Sequence, residues 1–219
     1  MNSEEKRESV KENYDLVAKQ YGKDFGTYIE DLDIYKAFEK ELPKDATILD
    51  LGAGTGRTYA YFSKRGYNYI GLDFSPEMKK EAFRIHGEFP YVLDDMMNVK
   101  KYFKYNSIDA VFAVYSLFHL SLDDFKKVLS NIHDILRDGG IFLFSHQLGS
   151  GEEFTDEPYL GEKGKNMLYM SYQTDDEIES VLKPLKFVEI YRKNKIETHD
   201  TAINRDNATT AYRIVRKVE

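Results

Sequence analysis

The sequence predicts an α/β fold in which a mostly parallel sheet is covered by helices on both faces. Two observations carry this. Short apolar runs alternate with amphipathic helical stretches from residue 46 to residue 148, the pattern of strand–helix–strand units. The first three runs each end at or beside an acid, at Asp50, Asp73 and Asp94-Asp95, and glycines at 52, 54 and 56 follow the first.

The elements follow in order. Residues 3–21 read as a polar helix with Val10, Tyr14, Val17, Ala18 and Tyr21 on one stripe. Residues 28–41 give a second helix, apolar at Ile29, Leu32, Ile34, Tyr35 and Phe38. The first strand spans 46–51, and a helix from about residue 55 is closed by Gly66. The second strand, 67–72, leads into Ser75-Pro76, a hydroxyl cap with proline at the first helical position, for a helix to about His86. A short strand covers 91–93 and a fourth 108–115. Ser121 caps a helix with Phe125, Val128, Leu129, Ile132 and Ile135 on one face, which Gly139-Gly140 is expected to end before a strand at 141–144. Residues 149–172 show no clear element. Thr174 and Glu177 form a capping box for a helix to about Leu182. Two last strands, 187–191 and 211–218, have nothing helical between them and are expected to pair antiparallel at the sheet edge.

Composition excludes several classes. The 219 residues contain no cysteine, so structural disulfides, cysteine-ligated zinc and thiol nucleophiles are absent. No His, Asp and Glu grouping has metal-ligand spacing, and no metal is expected. No apolar run reaches the roughly 20 residues that span a bilayer, and residues 1–9 are polar, unlike a signal peptide. The expected compartment is the cytoplasm. Lys and Arg number 31 against 38 acids, a formal charge of -7, which disfavours a nucleic-acid partner. The 17 tyrosines are mostly expected in packing, with some lining a pocket.

The most specific segment is Asp50-Leu51-Gly52-Ala53-Gly54-Thr55-Gly56-Arg57, set between a strand and a helix. Glycine there allows positive φ and close approach of backbone to a ligand. The spacing is not a dinucleotide fingerprint, because Arg57 stands at its sixth position, and no Lys-Ser or Lys-Thr pair makes it a P-loop. Asp50 would repel a phosphate and suits a ligand with an ammonium group; capping the glycine turn is its other reading. Asp73, about twenty residues on, is placed to accept from two ribose hydroxyls. Asp95 with Met96 can hold an adenine amino group and cover its ring; Asp94 is equally placed.

Together with Gly71-Leu72-Asp73-Phe74-Ser75-Pro76-Glu77-Met78, Asp95-Met96, Asp109-Ala110-Val111-Phe112 and Leu136-Arg137-Asp138-Gly139-Gly140, this loop makes the chain resemble a class I S-adenosylmethionine-dependent methyltransferase over residues 10–218. The resemblance implies a Rossmann-like seven-stranded, mostly parallel sheet with an antiparallel last strand, a helical cap over residues 1–45 and a cofactor-binding domain over 46–219. It implies S-adenosylmethionine as cofactor, held by Tyr21, Asp50, Gly52, Ala53, Gly54, Gly56, Asp73, Phe74, Met78, Asp95, Met96 and Tyr115. It implies that an N-terminal tyrosine helix, with Tyr14 and Tyr21, closes over the cofactor. His119, after the fourth strand where donor and acceptor meet in similar enzymes, is a candidate general base or a loop-stabilising side chain; His146 has the same two readings. Residues 149–172, with Phe154, Tyr159, Met167, Tyr169, Met170 and Tyr172, are expected to form a lid insertion over a small-molecule acceptor. A tRNA or protein acceptor, or a cofactor-binding protein without catalysis, are the alternatives. The sequence is silent on oligomeric state.

Overall fold

The computed structural model describes residues 1–29, 31–156, 167–196 and 208–218. Helices α1 (Ser3–Phe25) and α2 (Leu32–Glu39) precede strand β1 (Thr47–Leu51). Then come α3 (Arg57–Phe62), β2 (Asn68–Asp73), α4 (Pro76–His86), β3 (Tyr91–Leu93), β4 (Ile108–Ala113) and α5 (Leu122–Ile135). The chain finishes with β5 (Leu136–Leu148), β6 (Gly151–Asp156), β7 (Met167–Gln173), α6 (Asp175–Leu182), β8 (Phe187–Ile196) and β9 (Thr209–Lys217).

All the strands share one sheet. Its path is β3-β2-β1-β4-β5-β7-β6, with β9 on the other side of β5 and β8 outside β9. The pairs from β3 through β5 are parallel; β5–β9, β8–β9 and β6–β7 are antiparallel. Because neighbouring side chains on a strand point to opposite faces, Ile48, Phe112, Leu143 and Ile214 pack with α2 and α3, while Leu49, Val111, Phe142 and Val215 pack with α5 and α6. Helix α2 is part of this core, with Ile34 and Phe38 fully buried. No helix among the described residues is long and apolar enough to cross a membrane.

Three expectations need correction. Among the described residues the sheet has nine strands, not seven. Gly139-Gly140 does not end α5: the helix stops at Ile135 and β5 starts at once, and the glycines form an irregularity inside β5, with Gly139 at φ +77° and a Cβ on Gly140 only 2.7 Å from the Arg137 carbonyl. Much of the stretch expected to lack an element is a β-hairpin, with Gly151–Asp156 paired to Met167–Tyr172. It joins the sheet because β5 runs past the end of β4, and its exposed edge is taken by β7 at Gln147↔Tyr172 and Leu148↔Gln173. Tyr159 lies outside the described residues.

Candidate active site

A cavity lies at the carboxyl ends of the strands, lined from the loop after β1, from β2, and from the segments after β3 and β4. That is where open α/β sheets bind ligands. Its floor is the glycine loop. Gly52 and Ala53 donate their N–H groups to the Leu72 carbonyl at 2.8 and 3.1 Å. Gly52 sits at φ +79°, and a Cβ there would lie 2.4 Å from the Ser116 side chain, so only glycine fits. Ser116 fixes the facing loop by donating to the Leu51 carbonyl at 2.8 Å.

The acids differ in their commitments. Asp73 accepts from the Gly54 N–H and the Ser75 N–H, both at 2.9 Å. Burial lifts its pKa to about 6, against the pull of those backbone donors. Asp50 accepts from the Tyr69 hydroxyl at 2.6 Å, and burial pushes it up to about 7. Asp95 faces the cavity, accepts from the Met97 N–H and pairs with Arg7 Nε at 2.8 Å. Asp94 does not line this cavity; Tyr102, Asn98 and the Asp95 N–H donate to it.

Helix α1 covers the cavity. Val17, Ala18 and Tyr21 pack on Met78 of α4, and Tyr14 and Tyr21 meet edge to face at 6.1 Å. Polar ties reinforce this: Arg7 to Asp95 and Asp124, Lys6 to Glu152, Asn13 to the Met167 carbonyl, and Ser75 to Asp15. Tyr14 donates to His119 Nε2 at 2.9 Å. That direction follows because His119 Nδ1 stands 2.8 Å from the Tyr169 carbonyl and must carry the proton. Burial lowers the His119 pKa to about 4. With both ring nitrogens engaged, His119 ties α1, its own loop and β7 together. A ring so weakly basic counts against the general-base reading at neutral pH and favours the loop-stabilising one.

Of the residues singled out in the sequence, Tyr21, Asp50, Gly52, Ala53, Gly54, Asp73, Phe74, Met78, Asp95, Met96, Tyr115 and His119 all line the cavity. Gly56 does not. A Cβ there would stand 3.0 Å from the Phe89 ring and 3.1 Å from His86, and its φ of +78° shapes the turn into α3. His146 is also elsewhere, fully buried with Arg213 Nε 3.2 Å from its Nε2. Sequence reasoning missed Arg7, Tyr35, Arg57, Thr58 and Ser116, which also line the cavity. Arg57 had registered only as a departure from a dinucleotide pattern, and Tyr35 as a core position. The donor set suits S-adenosylmethionine: acids for ribose and adenine, glycine backbone for close approach, and a buried Thr55 hydroxyl on the loop that has no partner.

Comparison with known proteins agrees. Residues 49–144 match a family described as "Methyltransferase domain". An uncharacterized protein of Methanocaldococcus jannaschii is 31% identical over 137 residues, 62% of this chain and 51% of that protein. The malonyl-[acyl-carrier protein] O-methyltransferase of Hamiltonella defensa is 32% identical over 102 residues, 47% of this chain and 38% of the relative. The matches thus span about half or less of these relatives' lengths. The fold is shared with the Burkholderia thailandensis 1,6-didemethyltoxoflavin-N1-methyltransferase, whose crystal structure holds 1,6-didemethyltoxoflavin and S-adenosylhomocysteine. That likeness has a TM-score of 0.73 at 19% identity and covers 100% of this chain and 92% of the other. The glycine loop, the strand-end acids, the sheet order and these relatives converge: residues 49–144 carry a methyltransferase domain, in the fold that S-adenosylmethionine-dependent methyltransferases share.

Proposed function

We propose that this chain moves a methyl group from S-adenosylmethionine to a nucleophilic atom of a small-molecule acceptor. The observation that carries the acceptor class is enclosure. Beyond the glycine loop the cavity is walled by Tyr14 and Tyr21 of α1, Tyr35 of α2 and Tyr115 after β4, a space scaled to a small ligand with few polar anchors. The Burkholderia protein acts on 1,6-didemethyltoxoflavin, which supports the same class here.

The cofactor supplies a methyl already activated on a sulfonium, so the chain's work is to bind, align and exclude water. In this reading Asp73 accepts from the ribose hydroxyls and Asp95 from the adenine amino group, with Met96 and Phe74 against the ring. Gly52 and Gly54 face the amino-acid end, with Asp50 near its ammonium group. His119 holds the Tyr14 hydroxyl at the cavity wall. We further propose that α1 and the β6–β7 hairpin act together as a lid.

The test uses S-adenosylmethionine labelled in its methyl group, offered with three acceptor pools from one cell extract: dialysable metabolites, total RNA and protein. Label is expected in the metabolite pool. Label confined to RNA or protein would overturn the acceptor class, and no transfer to any pool would favour a non-catalytic binding protein.

A further inference from the structure

Arg57 stands apart from the other arginines. Among the described residues Arg7, Arg65, Arg84, Arg137, Arg192, Arg213 and Arg216 each form an ion pair with a carboxylate. Arg57 forms none among the described residues. Its guanidinium lines the cavity with its carbon 5.5 Å from the centroid of the Tyr115 ring, and Tyr21, Tyr35 and Asp50 are its other close electrostatic neighbours.

The nearby acids are engaged elsewhere. Asp50 accepts from Tyr69 and, although it feels the charge of Arg57, forms no ion pair with it. Asp31, behind Tyr115, accepts from the Tyr115 and Tyr212 hydroxyls and pairs with Lys195 at 3.2 Å. A guanidinium at the wall of a cavity with no carboxylate paired to it loses hydration and gains little in return. Its planar fork matches a carboxylate in two parallel hydrogen bonds.

Tyr115 presents this cation. It has φ +61°, an uncommon conformation for a residue with a large side chain. Its N–H donates to Ser145 Oγ at 2.7 Å, and its hydroxyl is held by Asp31 and Tyr212. The ring is therefore fixed where it faces Arg57.

We propose that Arg57, seated against Tyr115, is the acceptor's anion subsite and that the acceptor is a small molecule bearing a carboxylate. This rests on the methyltransferase reading and narrows it. Charge argues for the acceptor over the cofactor as the source of that carboxylate. S-adenosylmethionine carries a sulfonium and an ammonium against one carboxylate, so its arrival adds positive charge near Arg57. An anionic acceptor balances both cations. For the cofactor's own carboxylate, the unpartnered Thr55 hydroxyl stands on the loop itself.

The experiment has two arms, both by calorimetry on wild type, Arg57→Gln and Arg57→Lys. In the first, protein saturated with S-adenosylhomocysteine is titrated with acid and amide pairs: acetate and acetamide, benzoate and benzamide, phenylacetate and phenylacetamide. At least one acid is expected to bind wild type about tenfold more tightly than its amide, as one charge-assisted pair allows. Arg57→Gln should erase that preference and Arg57→Lys should keep part of it. Equal or absent binding of acid and amide in every pair, or a preference that survives Arg57→Gln, overturns the proposal. In the second arm, S-adenosylhomocysteine is compared with its decarboxylated analogue. The preference for the intact molecule should be the same in wild type and Arg57→Gln; its collapse in Arg57→Gln would assign the guanidinium to the cofactor and overturn the proposal. Binding of S-adenosylhomocysteine by the variants reports that they are folded. If wild type fails to bind it at all, the methyltransferase reading itself falls, a result distinct from either arm.

Discussion

Both oxygens of Asp73 accept main-chain N–H groups, from Gly54 and Ser75, yet burial leaves its pKa at about 6. A group whose proton competes with its ligand ties affinity to pH. Below about 6 the free protein holds the proton, and a carboxyl oxygen that should accept from ribose is lost; above it the carboxylate is available. Affinity for S-adenosylhomocysteine should therefore fall as pH drops through about 6. Calorimetric titrations from pH 5 to 8 should show that break in wild type and not in Asp73→Asn, which should bind roughly tenfold more weakly. A break near 6 that persists in Asp73→Asn would assign it to another group. His119 makes the opposite prediction, because a ring of pKa about 4 does not titrate at working pH. His119→Ala should cost about 1–3 kcal/mol of stability, through lost bonds to Tyr14 and Tyr169. It should leave the shape of the rate profile unchanged between about pH 5 and 8; loss of an inflection there would restore the base. The strand-end acids were legible because their spacing from the glycines is local. Arg57 was not, since its character comes from the absence of a carboxylate partner, which only the folded chain decides.

Helix α1 is joined to the rest of the molecule by polar ties as much as by packing, and Arg7 reaches the same Asp95 that faces the cavity. If α1 and the hairpin form a lid, hydrogen exchange should slow over residues 14–21 when S-adenosylhomocysteine binds, and over 167–172 only when an acceptor is added too. Arg7→Ala should speed exchange along the first half of α1 without ligand. Unchanged exchange at 14–21 on cofactor binding would count against the lid. At this scale the caps were readable. Ser75 with Pro76, Ser121, and the Thr174–Glu177 box all stand where the sequence put them, because a cap is a contact within four residues. The hairpin was not, for β6 is a polar edge strand, Gly-Glu-Glu-Phe-Thr-Asp, and alternation appears only against its buried partner β7. Gly139-Gly140 misled because the same dipeptide suits a helix stop and a strand irregularity.

Across the whole molecule, the parallel half of the sheet was legible from its apolar runs, since strands buried on both faces cannot be polar. The antiparallel half was legible in part. The pairing of the last two strands could be read from the polar stretch without helical periodicity between them in the sequence, whereas the placement of β9 against β5 depends on contacts distant in sequence. The hairpin's attachment gives a prediction at this scale. Deleting residues 152–165 removes β6 and leaves the order β3-β2-β1-β4-β5 intact. Such a variant should keep its affinity for S-adenosylhomocysteine within a few-fold while losing most turnover; full turnover would exclude the hairpin from the acceptor side. The hairpin meets β5 through only two residue pairs, at Gln147 and Leu148. Its remaining ties run to α1 and to the loop after β4, through Lys6–Glu152, Asn13 to the Met167 carbonyl and His119 to the Tyr169 carbonyl, so the strands of the parallel sheet fold without it. If the hairpin forms the acceptor side, the choice of client is written in a part of the chain separate from the strand-end acids and glycines proposed to hold the methyl donor, and each can change while the other stands.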